Sequence, residues 1–119
     1  MTIYGREIGL AVTVGASVKL ARLCPDNDLQ RLSELLDGSL ADTIENLMKM
    51  AVIMSEAYER RRAFEEEGYE PNPITMAELE TLEMDEISEL FTLVTEAITR
   101  DRKQEIQTKP AKGAKKNPK

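Results

Sequence analysis

At the start of the chain, apolar side chains occupy every second position: Ile8, Leu10, Val12 and Val14. This period of two, together with the β-branched residues, predicts one or two short strands between Thr2 and Val14. Tyr4-Gly5 is a candidate for a tight turn between them. Because two strands alone are only marginally stable in water, we expect this ribbon to lie against helices.

After Gly15 the apolar residues change to helical spacing. A first short helix is expected to end at Pro25, because the proline ring cannot continue a helix. Asp26 and Asn27 are candidates for the N-cap of a second helix, which Gly38 ends. The second helix has its apolar residues at helical spacing: Leu29, Leu32, Leu35 and Leu36.

The principal helix is predicted from Leu40 to Glu66 after the cap residue Ser39, and it would be about 40 Å long. Its polar sector is narrow, so its apolar arc is wider than packing against one neighbour requires. The arc has two interpretations: a central helix surrounded by its own neighbours, or an exposed groove for a partner. The candidate partner contacts on this helix are Met50, Ile53, Met54, Ala57, Tyr58 and Phe64.

A glycine and two prolines between Gly68 and Pro73 interrupt the helical pattern. Thr75 and Glu78 have the spacing of a capping box, which predicts a short helix. A last amphipathic helix begins near Met84. The predicted fold is mainly α, a small bundle of four to five helices with a short N-terminal β-hairpin, in one domain over residues 1–105. Residues 106–119, with two prolines and five lysines, are expected to be a disordered basic tail.

Charge is distributed unevenly along the chain. Seven basic and two acidic residues give residues 101–119 a net charge of +5, which leaves −11 of the total of −6 on residues 1–100. An acidic body repels nucleic acid, so the folded part is not expected to bind phosphate. The i,i+4 pairs Glu56 with Arg60 and Arg62 with Glu66 predict that the Arg60–Arg62 run is neutralised by its own helix.

The inventory of reactive residues is small. With no histidine and one cysteine, the usual zinc ligand sets and a cysteine–histidine nucleophile are excluded. Neither a G-x-S-x-G elbow nor a P-loop is present. Cys24 is interpreted as a small buried apolar residue, with a reactive thiol as the alternative. We therefore predict a protein that is not an enzyme and needs no cofactor.

A cluster of carboxylates stands near the end of the principal helix: Glu65, Glu66, Glu67 and Glu70. At a helix end beside a flexible loop they are interpreted as a solvated acidic patch, with a calcium or acid–base site as the alternative. No apolar run approaches the ~20 residues that a membrane span requires, and no secretion signal is recognised. A cytoplasmic protein without membrane contact is expected.

The order of elements resembles that of tail assembly chaperones of long-tailed bacteriophages, over roughly residues 2–105. The segments that carry the resemblance are Ile3-Tyr4-Gly5-Arg6-Glu7-Ile8, Val14-Gly15-Ala16, Ala57-Tyr58-Glu59, Ile74-Thr75-Met76-Ala77-Glu78-Leu79, Ile87-Ser88-Glu89-Leu90-Phe91 and Glu96-Ala97-Ile98. The resemblance implies binding to the tape measure protein, which is a very long helical chain, and its retention in solution until tail tube subunits polymerise around it.

The same resemblance implies that the protein acts in the bacterial host cytoplasm, is absent from the mature virion, and has the tail tube protein as a second candidate partner. The family often also makes a longer form by ribosomal frameshifting, and this chain would be the short form. A homo-oligomer is left open. Two other functions are left open: a small nucleic-acid-associated regulator that uses the basic tail, and a minor structural protein of the virion. Measuring DNA binding by the chain with and without residues 107–119 distinguishes the nucleic-acid-associated regulator from the chaperone.

Overall fold

The predicted hairpin at the amino terminus is present in a computed structural model, which describes the backbone of residues 1–113 and the side chains of residues 1–100. Strand β1 (Thr2–Ile3) pairs antiparallel with β2 (Arg6–Glu7). The φ angles of Tyr4 and Gly5 are +50° and +79°, and a two-residue turn of type I′ needs a positive φ at both positions. The predicted turn is therefore confirmed.

The two short strands occupy only the first part of the predicted range from Thr2 to Val14. Residues 8–13 form no strand, and Val14 is the first residue of helix α1 (Val14–Leu23). The alternation has another cause: Ile8 and Leu10 are buried in the core, while the backbone N–H of Ala11 donates to the carbonyl of Met54, 3.1 Å away on a helix. Alternating burial therefore occurs here without a neighbouring strand.

The second predicted helix is a 3₁₀ helix, Leu29–Leu36, and its cap differs from the prediction. The side chain of Asp28 accepts from the backbone N–H of Gln30 at 3.0 Å. Asp26 and Asn27, the predicted caps, lie in a separate 3₁₀ turn, Pro25–Asn27, with φ angles of +57° and +54°. Aspartate and asparagine are the residues that best tolerate this left-handed conformation after glycine.

Helix α2 (Leu40–Glu65) is the centre of the fold and packs against α1, the 3₁₀ helix, and the two helices that follow it, α3 (Met76–Leu79) and α4 (Met84–Gly113). Ser39 caps α2 as predicted, since its hydroxyl oxygen accepts from the N–H of Asp42 at 3.1 Å. The capping box of Thr75 and Glu78 is also confirmed, with both reciprocal hydrogen bonds formed. None of the described helices has an apolar stretch long enough to cross a membrane.

The prediction of a mainly helical bundle with an N-terminal hairpin is confirmed. The boundary expected at residue 105 is not a helix end, because α4 continues to Gly113. Residues 114–119 of the expected tail lie outside the described residues, and the disorder of the tail stays a prediction. The most deeply buried side chains come from the four α-helices and, at Ile74, from the loop before α3: Leu20, Leu47, Met50, Met54, Ile74, Leu79, Leu90 and Val94.

The hairpin lies against α3, as expected from the marginal stability of two strands. Arg6 donates to the carboxylate of Glu78 at 2.8 Å, and the hydroxyl groups of Tyr4 and Thr81 are 2.6 Å apart. The hydrogen bond from the Arg6 guanidinium lowers the pKa of Glu78. These contacts join the start of the chain to the segment that precedes α4.

Gly9 lies directly against the ring of Tyr58, and a Cβ atom at this position would overlap the ring carbons. We expect Gly9→Ala to lower the free energy of unfolding by about 1–3 kcal/mol, as overpacked sites do. Urea unfolding followed by circular dichroism measures the change. In a Tyr58→Ala background the obstacle is gone, so the penalty should shrink. An equal penalty in both backgrounds would contradict this explanation.

Candidate partner-binding site

Two of the predicted partner contacts, Met50 and Met54, have no exposed surface. They pack in the core between α2 and its neighbours, so they cannot contact a partner in this conformation. The prediction is corrected for these two residues. The physical reason is that α2 has neighbours on several sides, and its wide apolar arc is largely covered by them.

The other four predicted contacts do not form one surface. Ile53 and Ala57 are partly buried and line a recess against α1. Tyr58 packs on Gly9 and faces a different side. Phe64 is 91% exposed near the end of α2, among charged residues. A continuous contact surface on this half of α2 is therefore not formed by the predicted set.

An apolar groove lies instead between the amino-terminal parts of α2 and α4. It encloses about 400 Å³. On each helix the lining residues recur at intervals of three and four, so each helix presents one face to the groove. This α2–α4 groove is lined by Leu40, Thr43, Ile44, Leu47, Met84, Ile87, Ser88, Phe91 and Thr92.

Three large apolar side chains in the α2–α4 groove are open to solvent. Leu40 is 69% exposed, Met84 59% and Phe91 40%. Leu47 and Ile87 beneath them are buried and belong to the core. An apolar cluster that is continuous with the core yet uncovered is typical of a binding surface, whereas single exposed apolar residues are ordinary.

None of the three exposed groove residues is among the partner contacts predicted from the sequence. A weak signal was present, because Met84 stands at the start of α4, where few elements can cover it. The hydroxyl residues of the groove, Thr43 and Ser88, were placed on no binding surface.

The solvent side of α4 beside the groove is acidic. Asp85 and Glu89 follow Met84 and Ser88 by one position and stand one helical turn apart, so they form a rim along the groove. Between Arg62 and Arg100 the sequence has eleven acidic residues and no basic one. Within residues 1–100, neither Asp85 nor Glu89 takes part in an ion pair.

A second concavity, of about 560 Å³, runs beside the last turns of α2, but its charged walls are internally paired. Arg61 pairs with Glu65 at 3.4 Å, and Arg62 pairs with Glu66 at 2.8 Å. The hydrogen bond to Glu66 raises the pKa of Arg62, as expected for an ion pair. The predicted pair of Arg62 and Glu66 is confirmed. Arg100, the other cation of this wall, donates to the carbonyl of Leu10 at 3.3 Å and is the one lining charge without an ion pair among the described residues.

The predicted pair of Glu56 with Arg60 is wrong. The partner of Glu56 is Lys19 on α1, at 3.8 Å. The error arises because a helical wheel shows only neighbours on the same helix, whereas α1 offers a cation across the interface. Glu67 and Glu70 of the predicted acidic patch are exposed, which agrees with a solvated patch.

One group of carboxylates is close enough to hold a cation: oxygens of Glu83, Asp85 and Glu86 lie within 4.8 Å of one another. Two of them have another role. The carboxylate of Glu86 accepts from the N–H of Glu83 at 2.9 Å, and that of Asp85 accepts from the N–H of Glu86 at 3.0 Å. They satisfy free donors at the start of α4 and complement its dipole.

Cys24 is buried, and its Sγ lies 3.2 Å from the carbonyl oxygen of Leu20. Burial raises the pKa of this thiol, which disfavours the thiolate. The interpretation of Cys24 as a small core residue is confirmed.

Glu59 is a buried carboxylate for which the sequence predicted no role. It accepts from the hydroxyl of Tyr69 and from the backbone N–H of Asn72, the latter at 2.9 Å. Ser55, one turn earlier, accepts from the N–H of Ile74 at 3.0 Å. These two side chains of α2 hold the loop that leads to α3.

No protein-family model, curated protein or solved structure matches this chain. The resemblance to tail assembly chaperones accordingly rests on the segments quoted above, and the function below is proposed from the geometry of the α2–α4 groove.

Proposed function

We propose that this chain is a phage tail assembly chaperone that binds helical segments of the tape measure protein in the α2–α4 groove. The supporting observation is the exposure of Leu40, Met84 and Phe91 in one groove between two helices. Such a groove accepts the apolar face of a third helix. By the resemblance stated above, the tape measure protein is a very long helical chain and offers many such faces.

The size of the exposed apolar surface favours reversible binding. Complete burial of a leucine, methionine or phenylalanine side chain contributes about 1.5–3 kcal/mol, and these three are already partly covered. Their combined contribution of a few kcal/mol must also offset the entropy lost on association. Each groove is therefore expected to bind weakly, which suits a chaperone that must release its partner.

The acidic charge of residues 1–100 supports the same function. A complex that carries many negative charges repels other copies of itself, which keeps it in solution. Binding by several copies along one long partner would cover its apolar residues and add charge at regular intervals. Neither step requires a chemical reaction, so the protein would act by binding alone.

We expect the double substitution of Leu40→Ser and Met84→Ser to abolish the solubilising effect on the partner. Both side chains are mostly exposed, so their loss should leave the fold intact, which circular dichroism checks. The measurement is the soluble fraction of the tape measure protein when it is co-expressed with each variant. The expected value equals that obtained without the chaperone.

Phe64→Ser is the matched control, because it removes an exposed apolar side chain outside the α2–α4 groove. It should solubilise the partner as well as the unmodified chain does. If the unmodified chain leaves the partner's solubility unchanged, the proposed function is wrong. If Phe64→Ser alone is defective, the contact surface is the end of α2, as the sequence predicted.

A further inference from the structure

We infer that the helix accepted by the α2–α4 groove is amphipathic and has lysine or arginine residues along the edge that faces α4. This inference deepens the proposed function and rests on the groove being a binding site for a helix. The observations that support it are the dimensions of the groove, the acidic rim without an ion-pair partner within residues 1–100, and the poorer fit of a second copy of this chain.

The groove is about two helical turns long. Its lining residues extend from Leu40 to Leu47 on α2 and from Met84 to Thr92 on α4, about 10–12 Å at 1.5 Å per residue. Its occupant therefore needs apolar residues at i, i+3 or i+4, and i+7. Outside that stripe, its side chains would lie at the groove edges, where the charge of the rim decides which residues fit.

The rim along α4 is negative, and its carboxylates have no ion-pair partner among the described side chains. Asp85 and Glu89 are exposed and directly follow the lining residues Met84 and Ser88 on α4, and within residues 1–100 no cation pairs with either. No basic residue occurs from position 63 to position 99. An acidic edge on the incoming helix would face repulsion here, while a basic edge would gain surface ion pairs. Two or three such pairs correspond to about a tenfold preference in affinity.

A second copy of this chain is a poorer occupant. Its exposed helical face on α1 offers two large apolar side chains, Val14 and Val18, which span one turn and fill half of the groove. Lys19 beside them already pairs with Glu56 of its own chain, so Arg22, one turn after Val18, is the one cation that this face of α1 could offer to the rim. The groove length and the rim charge together favour a longer, basic helix from another protein.

The test uses the full chain and two labelled synthetic helices of about 18 residues that share one leucine stripe. One has lysine along both edges of the stripe and the other has glutamate, and fluorescence anisotropy gives their affinities. We expect the lysine peptide to bind about tenfold more tightly at low salt. The difference should largely vanish near 1 M salt, where the screening length is about 3 Å.

The acidic body attracts any basic peptide, so the rim must be tested by a matched pair of variants. Asp85→Asn with Glu89→Gln neutralises the rim, while Glu67→Gln with Glu70→Gln removes the same charge elsewhere on the surface. The rim variant should lose most of the preference for the lysine peptide, and the control variant should retain that preference. Equal loss in both pairs, equal affinity for both peptides, or no binding of either would overturn the inference.

Other results separate this inference from the proposed function. If the peptides discriminate as expected but the tape measure protein is not solubilised, only the proposed function fails. If the groove variant of Leu40 and Met84 loses solubilisation while both peptides bind equally, only the basic edge is refuted. Sedimentation of the protein alone gives a third result: a dimer that the same groove variant dissociates would assign the groove to a second copy and overturn the inference.

Discussion

Replacing Met54 by alanine is expected to lower the free energy of unfolding by about 2–5 kcal/mol, the range for removal of a large buried side chain. Met54 has no exposed surface and belongs to the core around α2. Its removal leaves a cavity that the surrounding helices can only partly close. Urea unfolding followed by circular dichroism measures the loss.

Phe64→Ala is the matched comparison, since the sequence placed both residues in one contact surface. Phe64 is 91% exposed, so its replacement should change the free energy of unfolding by no more than about 0.5 kcal/mol. Similar losses at the two positions would contradict the division of α2 into a buried and an exposed set. Met54→Leu, which nearly conserves volume, should cost less than about 1.5 kcal/mol.

Replacing Glu59 by alanine is expected to loosen the loop between α2 and α3. The N–H of Asn72 would lose its acceptor, at a cost of about 1–3 kcal/mol to the free energy of unfolding. Tyr69 would lose its acceptor as well. Hydrogen exchange of the loop amides should accelerate in the variant, while the amides in the middle of α2 should be affected only through global stability.

The same substitution changes the titration of Tyr69. The hydrogen bond to Glu59 is the main reason that the pKa of Tyr69 is raised in the folded protein. Stability from a raised pKa is present below the ordinary value and is lost as the pH rises through the folded value. In Glu59→Ala the pKa of Tyr69 should fall toward its ordinary range, which ultraviolet absorbance titration detects. An unchanged pKa would contradict the role given to Glu59.

The parts of the fold that were predicted correctly are governed by local interactions. The Ser39 cap, the capping box of Thr75 and Glu78, and the end of α1 before Pro25 each depend on side chains within a few residues of the backbone groups they satisfy or block. The hairpin turn is of the same kind, because Tyr4-Gly5 fixes its own conformation. These signals are present in any short window of sequence.

The errors concern features that depend on distant neighbours. Alternation near Leu10 indicates half-burial, but whether a strand forms depends on a partner, and here the partner is the side of α2. The pairing of Glu56 with Lys19 likewise joins two helices.

The predicted contact residues differ from those that the structure exposes for the same reason. The width of the apolar arc on α2 was recognised from the sequence, but which part stays uncovered is decided by where α1, α4 and the 3₁₀ helix pack. Those helices cover Met50 and Met54 and leave Leu40 open. Apolar residues at intervals of three to four show which side of a helix is apolar. They do not show how much of the helix's length a neighbour covers.

The contacts of the hairpin with α3 affect the order in which the protein can be assembled during translation. The ribbon at residues 2–7 is synthesised first, but its partners Glu78 and Thr81 emerge more than seventy residues later. At ~5–20 residues per second, the ribosome needs about 4–15 seconds to reach them. During that interval the ribbon has no α3 to dock on, so its contacts with Glu78 and Thr81 are among the last of the fold to form.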